Sequence, residues 1–184
     1  QYYVVTPSKC AYIGMDAVLK NYEDRFVLCD GVQKLDEELT VFSAVPGREL
    51  WSGANDTLRE KIGEDYPRDT FRHEQDLLVT ENGKTALFAG CAHCGIVNVL
   101  KTVRLRFPDV PIISVVGGFH MMGGSEKSLC CSPEYIDKTV NEIMAIETGA
   151  IYTCHCTGLA GYGAMKARLG DRIQYLQTGE ELEF

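Results

Sequence analysis

The sequence Phe88-Ala-Gly-Cys-Ala-His-Cys-Gly-Ile-Val-Asn98 decides how this chain folds, because it joins a predicted strand to a predicted helix. Residues 77–79 and 85–89 form two apolar runs, and Asn82-Gly83 between them predicts a hairpin turn, since both residues tolerate a positive φ. After the quoted stretch, apolar side chains recur at helical spacing: Ile96, Val97, Leu100, Val103 and Leu105. His93 therefore lies where a strand ends and a helix begins, the position at which open α/β sheets bind ligands.

The same arrangement recurs twice further along the chain. An apolar run at 111–116 ends in Gly117-Gly118-Phe119-His120, and a strand predicted at 150–153 ends in Cys154-His155-Cys156. Three of the four histidines thus end successive strands, and neighbouring strands of a sheet lie about 4.8 Å apart. Imidazole nitrogen suits zinc, iron and nickel. The pattern predicts a metal site with His93, His120 and His155 as ligands.

The cysteines beside these histidines offer a rival ligand set. Cys91 and Cys94 have the bare spacing of a zinc-binding pair, and Cys154 and Cys156 flank His155. If the strand at 150–153 continues, however, Cys154 and Cys156 face away from His155, because alternate residues of a strand point to opposite faces. The imidazole set is therefore preferred to a mixed cysteine and histidine site.

Other polar residues near the hairpin are interpreted as structural. His73, the fourth histidine, precedes the first hairpin strand and is expected at the surface or behind the site. Glu74 and Asp76 are expected at a solvated edge. Gly117-Gly118 matches no phosphate-binding motif, so these glycines are expected to allow close backbone approach beside His120.

Composition indicates an ordinary globular protein with a single domain, residues 1–184. Of the 184 residues, 45% are hydrophobic and 24% are charged. The net charge of -8 argues against nucleic acid as a partner, and no apolar run approaches the ~20 residues that span a membrane. The eight cysteines, with no signal-peptide pattern after Gln1, favour free thiols and a cytoplasmic location.

The remaining segments carry weaker signals. Residues 1–22 indicate a short helix or an irregular lead-in, followed by strands at 26–29 and 39–42. The polar segment 46–69 is predicted to run over the surface as a lid, a binding element or a plain loop, with a helical turn near 57–61. Later elements follow from caps and apolar spacing: a helix beginning at Ser132-Pro133, a helix at 159–169 closed by Gly170, and a strand at 173–176.

Four motifs together resemble the metallo-β-lactamase-fold hydrolases. The branch they resemble most is that of proteins like dihydropterin-methyl-ribofuranosyl-aminobenzene phosphate synthase. The motifs cover residues 70–184 in the family's order: Glu74-Gln75-Asp-Leu-Leu, Gly90-Cys91-Ala-His93-x-Gly95-Ile96-Val-Asn98, Gly117-Gly118-Phe119-His120, and His155-Cys156-Thr157-Gly158 with the closing Thr178-Gly179.

The resemblance implies an α/β fold, an αββα sandwich with a metal site at one edge. His93 is similar to the histidine that joins the first metal, and His155 is similar to the late histidine on the second. His120 stands where most of the superfamily has a bridging aspartate, which leaves open whether it bridges, binds one metal or contacts substrate. The family's His-x-His-x-Asp-His motif is missing from the sequence. The chain is therefore expected to lack the N-terminal part of the fold and to correspond to the C-terminal two-thirds of a longer protein.

The function implied for the complete protein is metal-dependent hydrolysis of a phosphoester, an ester or a similar small molecule by a metal-activated water. One or two divalent ions are expected, with zinc preferred to iron or manganese, and no catalytic residue beyond the metal ligands is predicted. The chain alone is expected to be inactive. The alternative is a catalytically silent fragment or interaction module that forms a homodimer or binds the missing N-terminal segment. A third interpretation is redox chemistry of the thiols beside an iron site.

Overall fold

A seven-stranded mixed sheet is the largest element of the computed structural model, which describes residues 1–183. The strands are β1 Tyr2–Thr6, β2 Lys9–Tyr12, β3 Val32–Lys34, β4 Leu39–Ser43, β5 Leu58–Glu60, β6 Gln75–Glu81, β7 Lys84–Ala89, β8 Ile112–Gly117, β9 Ala150–Thr153 and β10 Ile173–Tyr175. The strand order of the large sheet is β10-β9-β8-β7-β6-β4-β3, and a separate three-stranded sheet has the order β2-β1-β5. The α-helices are α1 Ile96–Arg106, α2 Pro133–Ala145 and α3 Gly158–Leu169, and 3-10 turns occupy Ala17–Arg25, Gly53–Thr57, His155–Thr157 and Gly170–Arg172.

Strands β7 to β10 are parallel and are joined in turn by α1, α2 and α3. Crossovers of this kind are right-handed, and all three step in the same direction, so the helices cover one face of the sheet. On that face one row of residues in cross-strand register is at most 2% exposed: Leu78, Leu87, Val115, Ile151 and Ile173. Each buried side chain of this kind contributes about 1.5–3 kcal/mol of transfer free energy, so the row anchors the helix layer.

Strand β6 runs antiparallel to β7, with Asp76 paired to Ala89. The start of β6 therefore lies beside the end of β7, and this brings Glu74 to the edge of the sheet that carries His93. The expectation that Glu74 and Asp76 are solvated is wrong, because they are 9% and 1% exposed. His73 is exposed as predicted, with its ring 4.0 Å from that of Tyr2.

The N-terminal third differs most from the sequence prediction. Residues 2–12 form the hairpin of β1 and β2 rather than an irregular lead-in, although a 3-10 turn follows at Ala17–Arg25. No strand forms at 26–29, where Leu28 is 89% exposed. In the segment 46–69 the helical turn lies at Gly53–Thr57, and β5 follows it and pairs with β1.

The second half matches its prediction closely. The hairpin turns at Asn82 and Gly83, both with positive φ, and the three helices and the strands between them occupy the predicted positions. The Ser132 hydroxyl caps α2 by accepting a hydrogen bond from the Tyr135 N–H at 3.2 Å. Local signals determine these elements, because each boundary is marked by a turn or cap residue in the sequence.

Candidate metal centre

The three strand-end histidines lie in tight turns at one edge of the main sheet. Each turn contains a non-glycine residue in the left-handed region: Ala92 before His93, and His120 and His155 themselves, with φ of 50°, 47° and 49°. A left-handed residue with a side chain costs about 1–2 kcal/mol, so the surrounding contacts must hold these turns in place.

His93 and His120 lie against each other. Their ring centroids are 4.1 Å apart with the planes at 60°. Nε2 of His120 is shielded from solvent and has no hydrogen-bond partner among residues 1–183. Burial, with the neighbouring His93, lowers the pKa of His120 to about 4. A neutral ring with an unused nitrogen lone pair is the form of histidine that binds a metal ion.

His93 is held by contacts from three directions. Asn55 donates from Nδ2 to the His93 carbonyl at 2.8 Å, and its Oδ1 lies 3.1 Å from Nδ1 of the ring. Since the amide oxygen can only accept, Nδ1 carries the proton and Nε2 keeps its lone pair. The Phe71 ring stacks on the imidazole with the centroids 4.7 Å apart and the planes nearly parallel, at 5°. The contacts thus fix both the orientation and the tautomer of His93.

The turn that carries His93 is closed by Glu74. The two oxygens of its carboxylate accept hydrogen bonds from the N–H of His93 at 2.5 Å and from the N–H of Cys94 at 2.9 Å. Asp76 lies two residues further along β6, and neither of its carboxylate oxygens has a hydrogen-bond partner within the described chain. Burial and the nearby Glu74 raise the pKa of Asp76 well above its usual range.

His155 meets two thiols at the other end of the edge. Its Nδ1 lies 3.5 Å from Sγ of Cys91, and the donor atoms of His155, Cys91 and Cys156 all lie within 4.8 Å of one another. The expectation that Cys156 faces away from His155 is wrong. Strand β9 ends at Thr153, and the 3-10 turn His155–Thr157 replaces the strand alternation on which that expectation rested. A hydrogen bond from Cys156, with His93 and His155 nearby, lowers the pKa of Cys91 to about 3.

The segment 46–69 packs beneath the site. Ser52 and Asn55 are 3% and 2% exposed, and the Ser52 hydroxyl donates to the His120 carbonyl at 2.7 Å. This burial favours a supporting element over a lid. Sequence reasoning missed both residues, because a serine and an asparagine in a polar segment give no signal of the histidines they contact 68 and 38 positions later.

Gly117 and Gly118 bring β8 close to its neighbours, as predicted. A Cβ on Gly117 would lie 2.1 Å from the Ala89 carbonyl oxygen, and one on Gly118 would lie 2.6 Å from Sγ of Cys156. Side chains at these two positions would therefore separate the strand ends that carry the three histidines.

No model of a known protein family matches the chain. A 7,8-dihydropterin-6-methyl-4-(β-D-ribofuranosyl)-aminobenzene-5'-phosphate synthase of Methanocaldococcus jannaschii is 26% identical over 108 residues, which are 58% of this chain and 34% of that protein. The crystal structure of Tm1679, a metal-dependent hydrolase of the β-lactamase superfamily, matches with a TM-score of 0.68 at 22% identity. The match covers 85% of this chain and 57% of Tm1679.

The chain has the metallo-β-lactamase fold. The structural match confirms the α/β fold class and the resemblance inferred from the four motifs. The chain spans about a third of the curated relative and just over half of the solved one. Within residues 1–183, no helix has the length and hydropathy that crossing a bilayer requires.

Proposed function

We propose that the metallo-β-lactamase fold of this chain belongs to a metal-dependent hydrolase that acts on a phosphoester, an ester or a similar small molecule. The observation that carries the proposal is the shielded, unpartnered Nε2 of His120 beside His93, at the strand ends where His155 also lies. A buried polar atom without a partner costs about 1–3 kcal/mol, and a bound cation at that atom would remove this cost. The proposed location is the cytoplasm.

His93, His120 and His155 would hold one or two divalent metal ions, with zinc preferred to iron or manganese. Bound there, a divalent ion would supply a water whose pKa is lowered towards neutrality. Asn55 keeps Nε2 of His93 free of its proton, and Glu74 holds the turn that presents this ring. Ser52 fixes the backbone of His120 from below. These residues position the ligands before any substrate arrives.

The remaining ligands would come from outside residues 1–184. The described histidines cannot complete a two-metal site, and the His-x-His-x-Asp-His motif of the resembled family is missing from this sequence. We infer that a further segment of a longer protein, or a second copy of the chain, supplies them to the same edge. The small-molecule substrate would bind between the two parts.

The test compares histidine variants of a complete protein that contains this chain. His93→Ala and His155→Ala should remove bound metal, measured by elemental analysis, and abolish hydrolysis of a chromogenic phosphodiester. His73→Ala is the matched control, since this exposed histidine lies away from the edge, and it should retain both. Retention of metal and activity by His93→Ala and His155→Ala together would contradict the proposal.

An interaction module is the second candidate function. Residues 12–35 expose many apolar side chains, among them Met15 at 66%, Val27 at 73% and Leu28 at 89%. Apolar surface of this extent is typical of protein contact sites, and a second copy of the chain is the simplest partner. Sedimentation velocity should then show a dimer that Leu28→Asp dissociates, whereas a monomer at all concentrations would contradict this candidate.

A further inference from the structure

We propose that Cys91, Cys156 and His155 bind a thiophilic divalent ion such as zinc through two sulfur atoms and one imidazole nitrogen. The inference rests on the proposed function and deepens it, because it gives the ion at the His155 end of the site two sulfur ligands beside this histidine. It also predicts which metal the site selects.

The spacing of the three donor atoms suits a single ion. Nδ1 of His155 lies 3.5 Å from Sγ of Cys91, and all three donors lie within 4.8 Å of one another. Zinc bonds sulfur at about 2.3 Å and imidazole nitrogen at about 2.0 Å, so tetrahedral ligands lie roughly 3.5–3.8 Å apart. Small side-chain movements would therefore bring all three donors into contact with one ion.

The fold holds Cys156 in this position. Its carbonyl accepts hydrogen bonds from the N–H groups of Met121 and Met122 at 2.9 and 2.8 Å. Its thiol donates to the Cys91 carbonyl at 3.6 Å and packs against Gly118, where any side chain would displace it. Since Cys156 is 5% exposed, its sulfur is placed by packing and not by chance contact at the surface.

The ion would keep a position open to ligand. Three protein donors leave one tetrahedral position free, and His155 is exposed while Cys156 is buried. Catalytic zinc sites have three protein ligands and one open position, whereas structural sites have four. Two sulfur donors also favour zinc, cadmium and cobalt over magnesium and manganese, which prefer oxygen ligands.

Cobalt titration of the reduced chain under anaerobic conditions tests the inference. Cobalt bound to sulfur absorbs in the near ultraviolet by charge transfer, a signal that histidine ligands do not give. Cys91→Ser and Cys156→Ser should each lower this absorbance by about half, because each removes one of two sulfur ligands, and the double variant should lose it. Cys154→Ser is the matched control, since it neighbours His155 outside the cluster, and it should keep the full band.

A measurement without substitutions guards against variants that fail to fold. Zinc should protect Cys91 of the unaltered chain from alkylation by iodoacetamide, with Cys10 and Cys154 remaining reactive, as mass spectrometry can show. Cobalt binding without a charge-transfer band would overturn the sulfur ligands while leaving the histidine-based function intact. A Cys91–Cys156 disulfide in the freshly isolated chain, with no zinc protection after reduction, would also overturn the inference.

Discussion

The two ends of the candidate metal centre are built differently. At the β7 end, His93 is held by Asn55, Phe71 and Glu74, so its ring direction and tautomer are set by the folded chain. At the β9 end, His155 is exposed and its ring contacts the Cys91 thiol. Folding therefore prepares the first end through three side chains, whereas the His155 ring at the second end is exposed and contacts a thiol.

Removal of the Glu74 carboxylate should weaken the prepared end most. Glu74→Ala leaves the N–H groups of His93 and Cys94 without their acceptor, so the free energy of unfolding should fall by about 3 kcal/mol in urea denaturation. Glu37→Ala, at an exposed position, should change it by less than about 0.5 kcal/mol. Equal effects of the two substitutions would show that Glu74 does not brace the turn.

Asp76 should make the stability of the same end fall as the pH rises above the usual carboxyl range. Its pKa is raised in the folded chain by burial, so its contribution to stability is full below the unfolded pKa and is lost as pH rises through the folded pKa. Asp76→Asn removes the ionisation and should be more stable than the parent by about 1–3 kcal/mol at pH 8. A parent and variant with parallel pH profiles would contradict this expectation.

His120 should give the stability the opposite pH dependence, a fall as the pH is lowered. The pKa of His120 is lowered to about 4 in the folded chain. Its contribution to stability is therefore full above the pKa of the unfolded chain, about 6.5, and is lost as pH falls through the folded pKa. The ring keeps some solvent contact, so the free energy of unfolding should fall by about 2 kcal/mol at most between pH 7 and pH 4. Denaturation of the metal-free chain at several pH values measures it, and His120→Asn should flatten the slope.

Asn55 tests whether tautomer control matters for metal binding. Asn55→Leu removes the acceptor of the His93 Nδ1 proton and should weaken zinc affinity by about 10-fold or more. Asn55→Asp keeps the acceptor for the Nδ1 proton but loses the donor to the His93 carbonyl, so it should retain more of the zinc affinity than Asn55→Leu does. Isothermal titration with zinc separates the two variants, and equal affinities would remove Asn55 from the ligand support.

His155 should have the smallest effect on the metal-free fold. Its side chain is exposed, so His155→Ala should change the free energy of unfolding by less than about 0.5 kcal/mol. His93→Ala loses the Phe71 stack and an Asn55 hydrogen bond and should cost about 1–2 kcal/mol. The contrast between the two ends fails if both substitutions lower the free energy of unfolding by the same amount.

The difference between the two ends also explains what could be predicted from the sequence. The positions of His93, His120 and His155 follow from local strand and helix signals, so the sequence predicts the edge of the sheet at which they lie. The supports could not be predicted, because Glu74 and Asn55 reach His93 across 19 and 38 positions of chain. The place of Cys156 was predicted wrongly, since it depends on β9 ending at Thr153, which tertiary packing decides.

Histidine ring resonances recorded by NMR during zinc titration test the central claim most directly. The chain has four histidines, of which three lie at the candidate metal centre and His73 lies outside it. The ring signals of His93, His120 and His155 should shift together up to saturation, while those of His73 stay unchanged. Zinc binding that shifts the His73 signals, or that leaves those of the other three histidines unchanged, would contradict a metal centre built on His93, His120 and His155.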